Sequence, residues 1–344
     1  MSASGYTRLS RKRMLVPTLL ALALPLVVFA SMSVGVLPVS PIGLLLSCLN
    51  GSGQIDPLAW AIIWHLRLPR ALMGLAAGAV LAMAGVALQG SLRNPLVSPF
   101  TLGVSSGASF GAALAIVLGI GLFGTGACLI VANAFVFALL ATFMTLGIAR
   151  IRGMTAESVI LAGIAVMYMF SAGVTLLQYV ARQWELAELV YWLMGDLSRA
   201  DWRRLDVVSL AVLVCIPLFK FAWDLNALMM GDDVARSLGT NPTTTRVACA
   251  SLSALAVAVV VCMTGPIGFV GLMAPHLARL LVGADHRFLM PTSALLGALL
   301  LSTADLLART VMMPLEIPVG VVTSFLGVPL FVHLLIRARR EIWR

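Results

Sequence analysis

Side chains able to do chemistry are confined to a few short segments of this chain. Arg67-Leu68-Pro69-Arg70 sets two guanidiniums three residues apart, ahead of an apolar stretch rich in Ala and Gly. Pro69 suits the first turn of a helix, and two arginines there would face the positive end of the helix dipole, which is locally unfavourable. Something acidic has to compensate: a lipid headgroup, a carboxylate elsewhere in the chain, or an acidic partner docking from outside. Asp305 and Arg309 stand at i, i+4 in another apolar stretch and can neutralise each other, which favours a structural role for Asp305 over a proton relay. Arg309 could still be offered to a partner. In Gly231-Asp232-Asp233-Val234-Ala235-Arg236-Ser237-Leu238-Gly239, acids open a short helix that Gly239 and then Pro242 close. Its apolar members Val234, Ala235 and Leu238 share one face, suited to a groove on a soluble partner or to a membrane surface.

Other chemistries lack their residues. A phosphate-binding loop needs Gly-Lys-Ser or Gly-Lys-Thr, and the lysines, Lys12 and Lys220, follow Arg11 and Phe219. His65, His276, His286 and His333 form no close metal-ligand spacing, so no metal site is expected. Cys48, Cys128, Cys215, Cys249 and Cys262 are scattered and read as small packing residues, and methionines such as Met167, Met169, Met229 and Met230 read as flexible apolar filler. No nucleophile, base and orienting group can be assembled, so the chain is not expected to be an enzyme.

The segments between these residues decide what must position them. Of 344 residues, 60% are hydrophobic and 11% charged, with a mean hydropathy of +1.02, more apolar surface than one water-soluble core can hide. A spanning helix needs roughly 20 mostly apolar residues, so charge-free windows can be counted as spans. They fall at 14–36, 71–92, two within 94–149 divided by the glycines near 119–126, 158–181, 207–223, a seventh ending near Thr264 before Gly265-Pro266, an eighth running through His276 and Arg279, 288–308 and 317–336. The expected fold is an all-α integral membrane bundle of ten helices forming one domain over 14–338, with tails at 1–13 and 339–344 and a loop at about 226–242 that carries the short helix. Gly74-x-x-x-Gly78 and Gly103-x-x-x-Gly107-x-x-x-Gly111 offer small faces for close helix packing.

Ten spans put both termini on one side. With the termini inside, 16 of the 23 basic residues face the cytoplasm, and most of the outer seven lie among acids, as the positive-inside rule requires. The formal charge of +9 is therefore a topology signal and no argument for nucleic acid. The first span is long for a cleaved signal peptide and is expected to be retained.

The ordered blocks Arg67-Leu-Pro-Arg70, Leu88-Gln89-Gly90, Asn94-Pro95-Leu96, Pro99, Leu102 to Ala108, Tyr191 to Gly195, Ala235 to Gly239, Gly265 to Leu272, Pro275-His276, Asp285 to Arg287, Ala304-Asp305 and Glu316 to Val321 resemble the FecCD family. These are the iron-siderophore, haem and vitamin B12 permeases of type II ABC importers. The resemblance implies ten helices, a second permease subunit, identical or paralogous, two cytoplasmic ATP-binding subunits that use ATP and Mg, and a periplasmic substrate-binding protein. It implies no cofactor in this chain and a multi-pass location in the bacterial inner membrane. Carried over by residue, Arg67, Arg70 and Arg309 would receive carboxylates of the binding protein. Asp232, Asp233, Val234, Ala235, Arg236, Ser237, Leu238 and Gly239 would form the coupling helix seated on the ATPase, and Val166, Met169, Gly173 and Leu177 would line the pathway. A ferric siderophore is the first expectation for cargo, with haem, cobalamin and molybdate-type oxyanions behind it; an ion-coupled secondary transporter is the rival of another class.

Overall fold

The computed structural model describes residues 3–35, 37, 39–43, 56–121 and 124–337, so Cys48 and the 339–344 tail lie outside the described residues. All regular structure among these residues is helical. Seven helices are long and apolar enough to cross a membrane, and three shorter apolar helices, Val104–Leu118, Val270–Val282 and Val319–Leu330, accompany them. Each of the ten falls on one of the ten expected spans.

In chain order the elements are α1 (Ala3–Ser33), α2 (Pro57–Ser91), α3 (Val104–Leu118), α4 (Ala127–Ile151), α5 (Ala156–Val180), α6 (Gln183–Leu193), α7 (Trp202–Leu228), α8 (Asp232–Ser237), α9 (Pro242–Thr264), α10 (Val270–Val282), α11 (His286–Thr310) and α12 (Val319–Arg337). α1 begins at Ala3, so the expected N-terminal tail continues that helix. α6 was not foreseen; Glu185 opens it by accepting from the Arg182 backbone amide at 2.8 Å.

α2 is the central post, packed on α11, α9, α10 and α7. Its start differs from the expected one. Pro69 does not open the helix: Pro57 does, behind Asp56, whose carboxylate accepts from Leu58 N at 3.0 Å. A proline inside a helix removes one i to i−4 bond and crowds the preceding turn. The chain absorbs this in a π-helical turn, Ile62–Arg67, just before Leu68-Pro69. Arg67 and Arg70 therefore sit about three turns inside the helix, and the dipole argument for an acidic partner gives way to one from burial.

Gly78, Gly107 and Gly111 pack as their spacing promised, whereas Gly103 stands at φ +81 just before α3 and outside the helix. Gly78 and Gly297 bring the backbones of α2 and α11 together so closely that a methyl group on either would overlap the other's carbonyl. Gly85 does the same against the Gly271 carbonyl in α10, and Gly107 and Gly111 lie against the carbonyls of Phe137 and Asn133 in α4. Thr264 ends α9 because Gly265 adopts φ +71, a conformation an L side chain resists, and its own position presses on the Trp192 carbonyl. Two non-α stretches, Pro99–Leu102 and 265–269, run inside the bundle, where the Thr101 carbonyl meets Gly163 two turns into α5 and the Leu102 carbonyl accepts from Thr145 at 3.0 Å.

Gly78→Ala should lower stability by about 1–3 kcal/mol through overpacking. Gly147→Ala, which meets open space on α4, should be neutral or gain about 0.5–1 kcal/mol from reduced chain entropy. Thermal unfolding of the detergent-solubilised chain distinguishes the two; equal effects would remove the close-packing account.

Candidate functional site

The charged residues collect at the two ends of α2. At its N-terminal end four elements meet around Asp305, whose side chain is 2% exposed. Arg70 from α2 donates to Asp305 Oδ1 at 2.9 Å, and Arg309 Nε lies 3.2 Å from Oδ2, one turn further along α11. Arg70 also donates to Glu316 in the loop before α12 at 2.7 Å. Arg67 turns toward α1 and donates to the Met32 and Ser33 carbonyls at 2.7 and 3.3 Å and to the Leu37 carbonyl beyond the helix. Arg309 reaches the same helix end, donating to Ser31 Oγ at 2.6 Å. The last carbonyls of a helix have no partner of their own and carry the negative end of its dipole, so two guanidiniums here satisfy both demands.

The Asp305–Arg309 pairing matches the i, i+4 expectation. The expected offer of Arg67, Arg70 and Arg309 to the outside meets a different geometry: each residue is under a tenth exposed and already bonded within the chain. The acid that Arg70 needs is internal. The open member of the cluster is Glu316, at 41% exposure. Nothing in the local sequence around Arg70 pointed to Glu316, which stands 246 residues away.

At the other end of α2, α8 follows Gly231, whose φ of +110 turns the chain into it. The expected shared apolar face divides: Ala235 is buried, while Val234 and Leu238 are 42% and 66% exposed. Asp233 and Arg236 pair at 3.0 Å in the open. Asp232 points inward and receives both terminal nitrogens of Arg246 at 2.6 and 2.8 Å. These hydrogen bonds hold the Asp232 carboxyl below the ordinary aspartate range, with Arg93 at 3.6 Å adding to the effect. Arg246, at the start of α9, was foreseen only as one of many cytoplasmic charges.

Between the two ends charge is sparse. Of the residues expected on the pathway, Met169 is exposed at 48%, but Val166 and Leu177 are buried and Gly173 abuts the Phe110 ring. Val166 packs with Ala141 and Phe170 instead. The open stripe of α5 carries Tyr168, Met169, Ala172, Leu176 and Tyr179. An apolar cleft of about 530 Å³ opens between Met194, Pro266, Gly268 and the α12 residues Val321, Phe325 and Val328.

The sequence profile of the FecCD transport family matches residues 22–337, and the chain belongs to that family. It is 40% identical over 284 residues to the hemin transport system permease HmuU of Yersinia pestis, covering 82% of this chain and 85% of that protein. It is 38% identical over 328 residues to the molybdate import system permease MolB of Haemophilus influenzae, covering 94% and 96%. A solved structure described as an inward-facing metal-chelate type ABC transporter superposes with a TM-score of 0.81 at 35% identity, over 94% of this chain and 99% of that one. The protein is thus a multi-pass membrane permease subunit of a type II ABC importer, a transport component that works with partner subunits.

Asp305→Asn should cost about 3–5 kcal/mol, because it leaves two buried guanidiniums without their shared anion. Glu316→Gln, at a position open to solvent, should cost about 0–1 kcal/mol. Denaturation of both variants in the same detergent checks the ranking, and the reverse order would remove Asp305 from the centre of the cluster.

Proposed function

We propose that this permease carries a ferric siderophore or similar metal chelate from a periplasmic binding protein to the cytoplasm, powered by ATP hydrolysis on two partner subunits. The observation that carries this reading is the close match, over nearly the full length of both chains, to a structure described as a metal-chelate type transporter. The relatedness to a hemin permease makes haem the second reading, ahead of vitamin B12 or an oxyanion. In this reading both termini face the cytoplasm of a bacterial inner membrane, and α8 meets the ATP-binding subunit through Val234 and Leu238. The uncharged stripe of α5 faces a second permease copy or paralogue across the pathway. A conduit without charged grips suits cargo that the binding protein selects and the pathway must release.

Docking of the binding protein falls at the arginine end. Its carboxylates would approach Arg67, Arg70 and Arg309 beside Glu316. The rival, an ion-coupled secondary transporter, wants an unpaired acid inside the membrane, and Asp305 is held by two arginines.

Uptake into vesicles carrying the permease, its ATPase and an excess of binding protein tests the proposal, with a ferric hydroxamate, hemin, cobalamin and molybdate as labelled cargoes. Uptake of the ferric hydroxamate that requires both internal ATP and the binding protein is the expected result. Preference for another cargo would overturn the siderophore assignment, and uptake that follows a proton or sodium gradient without ATP would overturn the coupling.

A further inference from the structure

We propose that the Asp232–Arg246 ion pair is the joint through which α8 moves the bundle, with Arg246 as the positioning residue that passes displacement of α8 to α9, α2 and the α4–α5 turn at once. The proposal rests on the reading that α8 is the segment in contact with the ATPase. Arg246 is 3% exposed and belongs to the first turns of α9. Besides its two bonds to Asp232, it donates to the Ser91 carbonyl at the end of α2 at 3.1 Å and to the Met154 carbonyl between α4 and α5 at 3.3 Å. One planar guanidinium thus ties the start of α8 to α9, α2 and the α4–α5 turn, a task its rigid fork suits and a flexible ammonium does not.

The other contacts of α8 are softer. Asp233 and Arg236 pair with each other in solvent, Ala235 packs as a single methyl, and the helix end is held by Thr240, which donates to Asp224 of α7 at 2.9 Å. A load on Val234 and Leu238 therefore reaches α9, α2 and the α4–α5 turn through Asp232, alongside the packing of α8 on the end of α7. A second observation falls on the same place. Three non-glycine residues among those described have positive φ, and two of them, Arg93 at +48° and Met154 at +56°, stand at this joint. Such backbone conformations persist only where the surroundings over-determine them. Arg93 closes the α2 end 3.6 Å from Asp232, and Met154 presents its carbonyl to Arg246. Beside them lies a polar cleft of about 390 Å³ lined by Arg93, Glu157, Gly231 and Asp232, which leaves α8 room to shift.

The test uses the whole complex in lipid nanodiscs, with spin labels at Tyr179 and Leu315, both exposed and far from the joint. In the unaltered complex ATP should change the distance between them. With Asp232→Asn or Arg246→Lys, the ATPase subunits should stay bound and hydrolyse ATP, while the ATP-shifted population falls roughly tenfold. A full shift in both single variants, or loss of the ATPase subunits from them, would overturn the joint. Hydrogen exchange on the unaltered complex needs no variant: amides of 232–238 and of Met154 should slow together on ATP binding, and slowing of α8 alone would also overturn it. No ATP response even in the unaltered complex would instead count against α8 as the ATPase contact.

Discussion

Asp305 is a carboxylate placed where water cannot solvate it, and the arrangement of helices at its end of the bundle follows from that placement. An isolated charge in such surroundings costs far more than any single packing contact returns, so partners must be brought to it. Arg309 comes from the same helix one turn on, and Arg70 from α2. Each guanidinium has more donors than one carboxylate can occupy. The surplus of Arg309 goes to Ser31 at the end of α1, and that of Arg70 goes to Glu316. One buried anion thereby draws α1, α2, α11 and the loop before α12 into a single cluster. This matters most for α1, few of whose membrane-spanning residues are fully buried in the bundle.

Away from that cluster the bundle holds by the opposite means, the absence of side chains. Lipid tails are as apolar as leucine, so helix association inside a membrane cannot rely on hiding oil from water and relies on close van der Waals contact. Gly78 against Gly297 and Gly85 against Gly271 let α2 approach α11 and α10 at backbone distance. The interruptions at Pro99–Leu102 and 265–269 are tolerable because they are partly buried in protein and otherwise line clefts of the bundle.

The spans were legible because a charge at bilayer depth is costly, so each window declares itself; Gly265-Pro266 even marked the residue at which α9 stops. Glycine spacing likewise foretold close packing, though not which helix would be met. What could not be read depends on contacts distant in sequence or on helical phase. Pro69 looked like a helix start because the π turn that accommodates it has no compositional mark. Glu316 and Ser31 carry no local sign that they will meet Arg70 and Arg309. Val166 and Leu177 were placed on the pathway side of α5 although they pack inward, since a helix apolar all round gives no contrast between faces.

The two ends of α2 solve the same problem with different mechanical results. At the Asp305 end the central carboxylate is buried and shared, so displacing it would leave both Arg70 and Arg309 short of their anion; such a cluster resists motion. At the Asp232 end one carboxylate, about a quarter exposed, is gripped by one buried arginine and approached by another at the surface. Water can follow Asp232 if it moves, which lowers the cost of displacing it while the pair stays intact. In the reading proposed above, a partner registers at the rigid end and force enters at the compliant one. The sparsely charged middle then has little to do but change shape, and this is consistent with cargo identity leaving so faint a mark on the chain.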